Sequence, residues 1–393
     1  MQARHGVFHK FKLDNVLFYT TVIMVASLPF SESVKTVSMY LLLAVFLLQV
    51  YRKEIKPDIT LIHVGFIFLI LSAFVSSMFA ENMAKSLKGL QDIVYYSIAF
   101  FVAGSISDQK QTRTILWSLY LSTAAAALVG IVRAVQAHAT IDIHQLRNPN
   151  YIAMYLIIVL ASMISTIVLS DKETKLSKAS IGMFALIILS ASVMTEYRSS
   201  FIGLFLFLFM IIFARRSMKY SLVVATVLIP LCSVTIFLYK PLWNKLLVTN
   251  SLISRLYIWK DAIVLFKEHP YFGIGPNHFA YLMPPGSPDA GARYYDAHNI
   301  YLQTASQIGV FGLIGLFLIM YGFLREFIGS KSLSHFGLSL KYGALGGVLV
   351  TFAGGIFDTT LHHCHAIAFA LLLGLFIGNI QKHSTARETA TKR

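Results

Sequence analysis

Apolar runs long enough to cross a bilayer recur along this chain, and that repetition leaves few folds open. Bounded by charges or turn residues, twelve such runs fall at 15–30, 34–50, 59–79, 87–106, 114–132, 151–169, 179–194, 199–214, 220–238, 300–323, 342–357 and 366–380. Several are a little short of the about 20 residues that a helical span wants. The 393 residues are 56% hydrophobic and only 13% charged, roughly half the about 25% of an average soluble domain. The mean hydropathy of +0.67 therefore comes from the whole length rather than from one greasy segment. The expectation is an all-α polytopic membrane protein of about 12 transmembrane helices, a single integral membrane domain over residues 1–393.

The formal net charge of +15 does not point to nucleic acid, because the basic residues fall in short clusters between apolar runs and not in an aromatic-interleaved patch. With the N-terminus inside, alternate loops and the C-terminal tail carry about 21 of the 33 basic residues, the asymmetry of the positive-inside rule. Both termini are then cytoplasmic. The first run resembles a signal peptide's hydrophobic region, but a small-x-small cleavage site is missing and a second run follows at once, so an uncleaved helix is expected. Cys232 lies inside an apolar run and Cys364 near the end of another, so no disulfide framework or cysteine-based metal site is indicated. No internal repeat of the kind that builds many carriers is evident.

The opposite, external face holds the long loop at 240–297, between the ninth and tenth spans, and the polar stretch 133–150. Long connections in compact proteins are usually functional or disordered, and this one is not low-complexity. Within it, Leu252, Leu256, Trp259, Ile263 and Phe266 recur at three and four residues, as in an amphipathic helix lying on a membrane surface. His269-Pro270 and the turn-rich Gly273-Ile274-Gly275-Pro276-Asn277 end that helix and fold the loop into a cap.

Three arginines share this face: Arg147, Arg198 in a very short turn, and Arg255 in the amphipathic segment. Each has a plain reading, snorkelling or a wet helix face, beside the functional one, in which planar guanidinium forks grip phosphate oxygens. His298 stands where the loop enters the helix beginning near Ile300. Imidazole titrates near neutrality and can take a proton from an attacking hydroxyl, with a carboxylate such as Asp296 to orient it. Asn299 adds a donor at the helix start. Asp358, His362, His363 and His365 look metal-like but match no ligand spacing, so a polar helix edge is the simpler expectation and no metal is assigned. Asp92 is an intramembrane carboxylate that Lys88, one turn earlier, can neutralise. Motifs for nucleotide sugars, nucleoside triphosphates and serine hydrolysis are missing.

Ser254-Arg255-Leu256-Tyr257-Ile258-Trp259, then His269-Pro270-Tyr271-Phe272-Gly273-Ile274-Gly275-Pro276-Asn277, Asp296-Ala297-His298-Asn299 and Gly309-Val310-Phe311-Gly312 together resemble the O-antigen ligase and polymerase superfamily. Asn148-Pro149-Asn150 and Tyr197-Arg198-Ser199 fit the same pattern, so the likeness runs from about Arg147 to Gly312. The resemblance implies a GT-C-like membrane glycosyltransferase. It implies metal-independent, inverting transfer of O-antigen from undecaprenyl pyrophosphate to a lipid A-core sugar hydroxyl in lipopolysaccharide biosynthesis. Carried onto this chain, His298, Arg198 and Arg255 are the catalytic residues. Arg147, Asp296, Asn299, Tyr197 and Tyr257 bind substrate, and no cofactor is used. The expected partners are the lipid-linked glycan donor, the lipid A-core acceptor and membrane lipids, not nucleic acid. The expected place is the inner membrane of a Gram-negative bacterium, with the active site on the periplasmic face. O-antigen polymerase is the alternative within the superfamily, and a membrane transporter the alternative outside it.

Overall fold

The computed structural model describes residues 2–55, 58–106, 108–138, 141–143, 148–170, 173–197, 199–215, 250–287, 289–330 and 333–391. Eight helices lead the chain: α1 (Gln2–Ser27), α2 (Glu32–Tyr51), α3 (Leu61–Phe79), α4 (Met83–Ser105), α5 (Gln109–Ala137), α6 (Pro149–Leu169), α7 (Lys175–Met194) and α8 (Ser199–Arg215). After α9 (Asn250–Glu268) come a two-stranded hairpin, β1 (Tyr281–Leu282) and β2 (Arg293–Tyr294), then α10 (Ile300–Gly329), α11 (His335–Phe352) and α12 (His363–Thr391). The protein is all-α and polytopic. Among the described residues eight helices are long and apolar enough to cross a membrane, with two shorter apolar helices at Leu13–Ser27 and Ser199–Ile212. Eleven of the twelve expected spans coincide with a helix. The twelfth, 220–238, and the loop's first residues, 240–249, lie outside the described residues.

The bundle is held by close backbone approach. Hydrocarbon gives helices little hydrophobic reason to associate, so small residues and interhelical hydrogen bonds carry the packing. Along the seam of α3 and α10, a methyl group on Gly65 would stand 2.8 Å from Ile319, and one on Gly322 2.8 Å from the Ile62 backbone. α6, apolar all round as a core helix should be, packs against α7, α11 and α12. From α5, Tyr120 meets Ser162 and Thr166 of α6 at 2.8 and 3.0 Å.

α10 is broken at Gly309, which has φ 77° and ψ −166°, a region open essentially to glycine alone. The freed carbonyls of Ser306 and Gln307 accept from the amides of Ile274 and Gly275, and Val310 donates to the Pro270 carbonyl, all at 2.8–2.9 Å. The glycine-rich turn after α9 and the glycine motif inside α10 are thus two halves of one backbone joint. α9 buries Ser254, Ile258 and Ala262 on a small core with Phe279, Met283 and Ala297, and leaves Leu252, Leu256 and Ile263 exposed. The apolar stripe read from the sequence is therefore largely the open face of this helix, and a second stripe docks it.

Candidate active site

Five helix ends meet at one end of the bundle: the starts of α6, α8, α10 and α12 and the end of α11. Asn148 caps α6 by accepting from the Asn150 amide at 2.9 Å, and Pro149 occupies the first helical turn, where its missing N–H is no loss. The next two side chains serve different carboxylates. Asn150 Nδ2 donates to Asp358 at 3.0 Å, and the Tyr151 hydroxyl donates to Asp296 at 3.1 Å.

Asp358 is 2% exposed, in the segment between α11 and α12. Its oxygens accept from Asn150, the Tyr197 hydroxyl, His298 Nδ1 at 3.1 Å and the Thr359 amide at 2.7 Å. A carboxylate offers about four lone-pair sites, and all are taken. Burial opposes its charge, but the hydrogen bond and charge of His298, with Tyr197 and Thr359, outweigh it and hold the carboxyl below its ordinary range. Burial and the neighbouring carboxylate push the Tyr197 hydroxyl up, so it stays a donor.

His298 has φ 47°, left-handed backbone that costs a non-glycine residue of the order of 1 kcal/mol or more. Its carbonyl accepts from the Trp259 indole at 3.4 Å, and its ring packs edge-on to Tyr294 with centroids 5.7 Å apart. Its side chain remains 21% exposed. With Nδ1 donating to a carboxylate, Nε2 is left as a base. Arg255 stands one turn before Trp259, half-buried, and its charge is felt at Tyr197. The start of α9 is pinned beside it by Ser254, which donates to Asp289 at 2.8 Å.

Asp296 faces the other way. Tyr151 and Gln303, the latter at 3.4 Å, hold its two oxygens. So Asp358, not the nearer-in-sequence Asp296, orients His298. Asp296 instead borders a cavity of about 300 Å³ whose walls include Lys88, Asp92, Gln303 and His362. His362 lies 3.6 Å from Asp92 and 3.9 Å from Asp296. Burial works against its charge, but Asp92, Asp296 and Asp358 prevail and raise it above the ordinary imidazole range. His362, rather than Lys88, is the direct partner of Asp92.

Of the residues singled out from sequence, Tyr197, His298 and Arg255 converge, and Asp296 lies beside them. Asn299 is spent on the fold: it caps α10 through the amides of Tyr301 and Leu302 and donates to the Ile356 carbonyl at 2.9 Å. Tyr257, 39% exposed, is felt at Tyr281 of the hairpin. Arg147 and Arg198 lie outside the described residues. Asp358, His362, His363 and His365 do not converge as ligands. Among the described residues no group of three or more His, Cys, Asp or Glu side chains is placed to hold a metal ion. Asp358 is the residue sequence reasoning undervalued, and its one signal was a carboxylate set between two apolar runs at the end of the chain that carries the loop.

Residues 183–317 match the protein-family model described as O-antigen ligase. The matched stretch is about a third of the chain and includes Tyr197, Arg255, Asp296 and His298. A search of curated proteins gives no match.

Proposed function

We propose, from the match of residues 183–317 to the O-antigen ligase family model, that this chain is a membrane glycosyltransferase that moves O-antigen from undecaprenyl pyrophosphate to a sugar hydroxyl of lipid A-core. The observation that carries the reading is the His298–Asp358 pair, 3.1 Å apart, with Tyr197, whose hydroxyl feels the charge of Arg255, bonded to the same carboxylate. A base oriented by a buried carboxylate and a cation nearby are what displacement of a diphosphate by a hydroxyl requires.

His298 Nε2 takes the proton of the acceptor hydroxyl as its oxygen attacks the anomeric carbon from the face opposite the pyrophosphate. The C1–O bond to phosphorus breaks, its electron pair leaves with the diphosphate, and the configuration inverts. Asp358 holds the neutral imidazole in the correct tautomer and then stabilises the imidazolium. Arg255, with Arg198 next to Tyr197 in the sequence, compensates charge on the leaving diphosphate. The glycosyl–pyrophosphate bond is already activated, so the scheme needs no metal or nucleotide.

The site faces the periplasm of a Gram-negative inner membrane in this reading, and the basic residues of alternate loops support the orientation, with both termini in the cytoplasm. One integral domain carries the whole activity, with 240–297 as its periplasmic loop, and the open face of α9 rests on lipid. A transporter is disfavoured because the carbonyls of Ser306 and Gln307, freed by the break in α10, are joined to the amides of Ile274 and Gly275 instead of lining an open ion pathway.

Purified protein given lipid-linked O-antigen and lipid A-core in chelator tests the reading. Capping of the core is the expected product. Longer lipid-linked chains would make the protein a polymerase, and no transfer at all would remove the enzyme.

A further inference from the structure

The cavity beside the base carries chemistry that the transfer step does not use. Two of its wall residues hold buried polar atoms without a partner. Gln307 is 6% exposed; its Oε1 accepts from the Asn277 amide at 3.2 Å, while Nε2 meets nothing. Thr359 is 2% exposed, and its hydroxyl is likewise unpartnered. Leaving such a group unsatisfied costs about 1–3 kcal/mol, and a native fold rarely leaves two beside one empty space.

The remaining wall says what would satisfy them. Asp92 and Asp296 supply acceptors, Lys88 supplies donors, and Ile300 and Ile308 supply apolar surface. Mixed donors and acceptors beside apolar side chains match a sugar's alternating hydroxyls and C–H patches. A phosphate is a poor occupant, since it would lie against two carboxylates. At about 300 Å³ the space stands at the small end of ligand pockets, which run from about 300 to 1,000 Å³.

We infer that this cavity is a subsite for a neutral, hydroxyl-rich sugar unit of the acceptor, with Gln307, Thr359 and Asp92 as its recognition residues. The word acceptor rests on the transfer reading above; the sugar subsite does not. Its position suits that role. Asp296 on its wall is two residues from His298, and Asn150 and Tyr151 tie the carboxylates of the two compartments to consecutive positions of α6.

The test is calorimetric titration of the full-length chain in nanodiscs with phosphate-free core oligosaccharide released from lipid A, and separately with O-antigen oligosaccharide freed of its lipid. Gln307→Glu keeps an oxygen for the Asn277 amide and replaces the free donor by an acceptor. Asp92→Asn keeps shape and removes charge. Each is expected to weaken core binding by about tenfold, or about 1.4 kcal/mol, with cooperative thermal unfolding retained, while Lys110→Ala, away from the cavity, stays within about twofold of the parent.

Core affinity that is absent in the parent, or unaltered in both variants, overturns the subsite. Loss of O-antigen binding rather than core binding overturns the acceptor assignment. Displacement of the oligosaccharide by inorganic pyrophosphate in the parent, but not in Gln307→Glu, overturns the sugar class. A chain that binds core as expected yet transfers no glycan defeats the transfer reading alone.

Discussion

Nδ1 of His298 stands 3.1 Å from Oδ1 of Asp358, 60 residues further along the chain and beyond two helices. The pair joins a loop residue, 21% exposed at its side chain, to a carboxylate 2% exposed, so in the proposed transfer the first reacts and the second orients. Asp358→Asn should keep the fold and lower kcat for glycan transfer by about 10²–10⁴-fold, the usual worth of a positioned base, with donor KM little changed. His298→Ala should fall as far, and the double variant no further, because the two act as a unit. Additive losses in that cycle would separate their roles.

Arg255→Ala should lower transfer by about 10²–10³-fold, the cost of removing one preorganised charge-stabilising group. Arg255→Lys should recover little, since an ammonium cannot reproduce the guanidinium fork. Full recovery in lysine, read from initial transfer rates at saturating acceptor, would reduce Arg255 to a point charge.

Below neutrality His362 is charged and paired with Asp92 and Asp296. Its folded pKa is raised. The stabilisation it gives is therefore complete below its unfolded value of about 6.5, and is lost as pH rises through the folded one. Thermal unfolding in nanodiscs between about pH 6 and pH 9 should show a steeper alkaline fall for the parent than for His362→Gln. Parallel curves would mean that another group governs the slope. Asp358, with its pKa held low, has the opposite sign. Its contribution is present above an unfolded value of about 3.9 and fades only as pH falls through the folded one.

Gly309→Ala places a methyl 2.2 Å from the Tyr271 carbonyl, at φ 77°. Backbone strain alone is worth about 1–3 kcal/mol there, and the clash adds to it. The variant should unfold at markedly lower temperature and lose the joint between loop and helix. Gly286→Ala, at φ 81° but with open space around it, should cost less. Equal unfolding temperatures for the two would show that the close approach carries no energy.

Ser287→Cys, on the loop, should react with a membrane-impermeant maleimide on intact spheroplasts, and Lys110→Cys, in the first turn of α5, only after lysis. The reverse pattern would invert the proposed orientation.

Most of the architecture was legible because bilayer-length apolar runs announce themselves, and eleven of the twelve expected spans became helices. The loop's role as a cap was legible from His269-Pro270 and the glycines that follow. Pairings across the bundle were not. Asp296 sits two residues from His298 and invited the orienting role, yet Tyr151 and Gln303 claim it. Asp358 reaches the imidazole only because α10, α11 and α12 fold back on one another, and no local spacing encodes that return. Asn299 looked like a donor for the substrate, but its Nδ2 is given to the Ile356 carbonyl while its oxygen caps the helix beginning at Ile300.

Asn150 and Tyr151 are neighbours on α6, so their side chains leave the helix about 100° apart and stretch toward separate carboxylates. Turning this strut about its axis would loosen the grip on both at once, detuning proton transfer and the polar cavity in the same motion. Its burial on nearly every side resists such a turn. The two compartments therefore keep a common alignment that neither could vary alone.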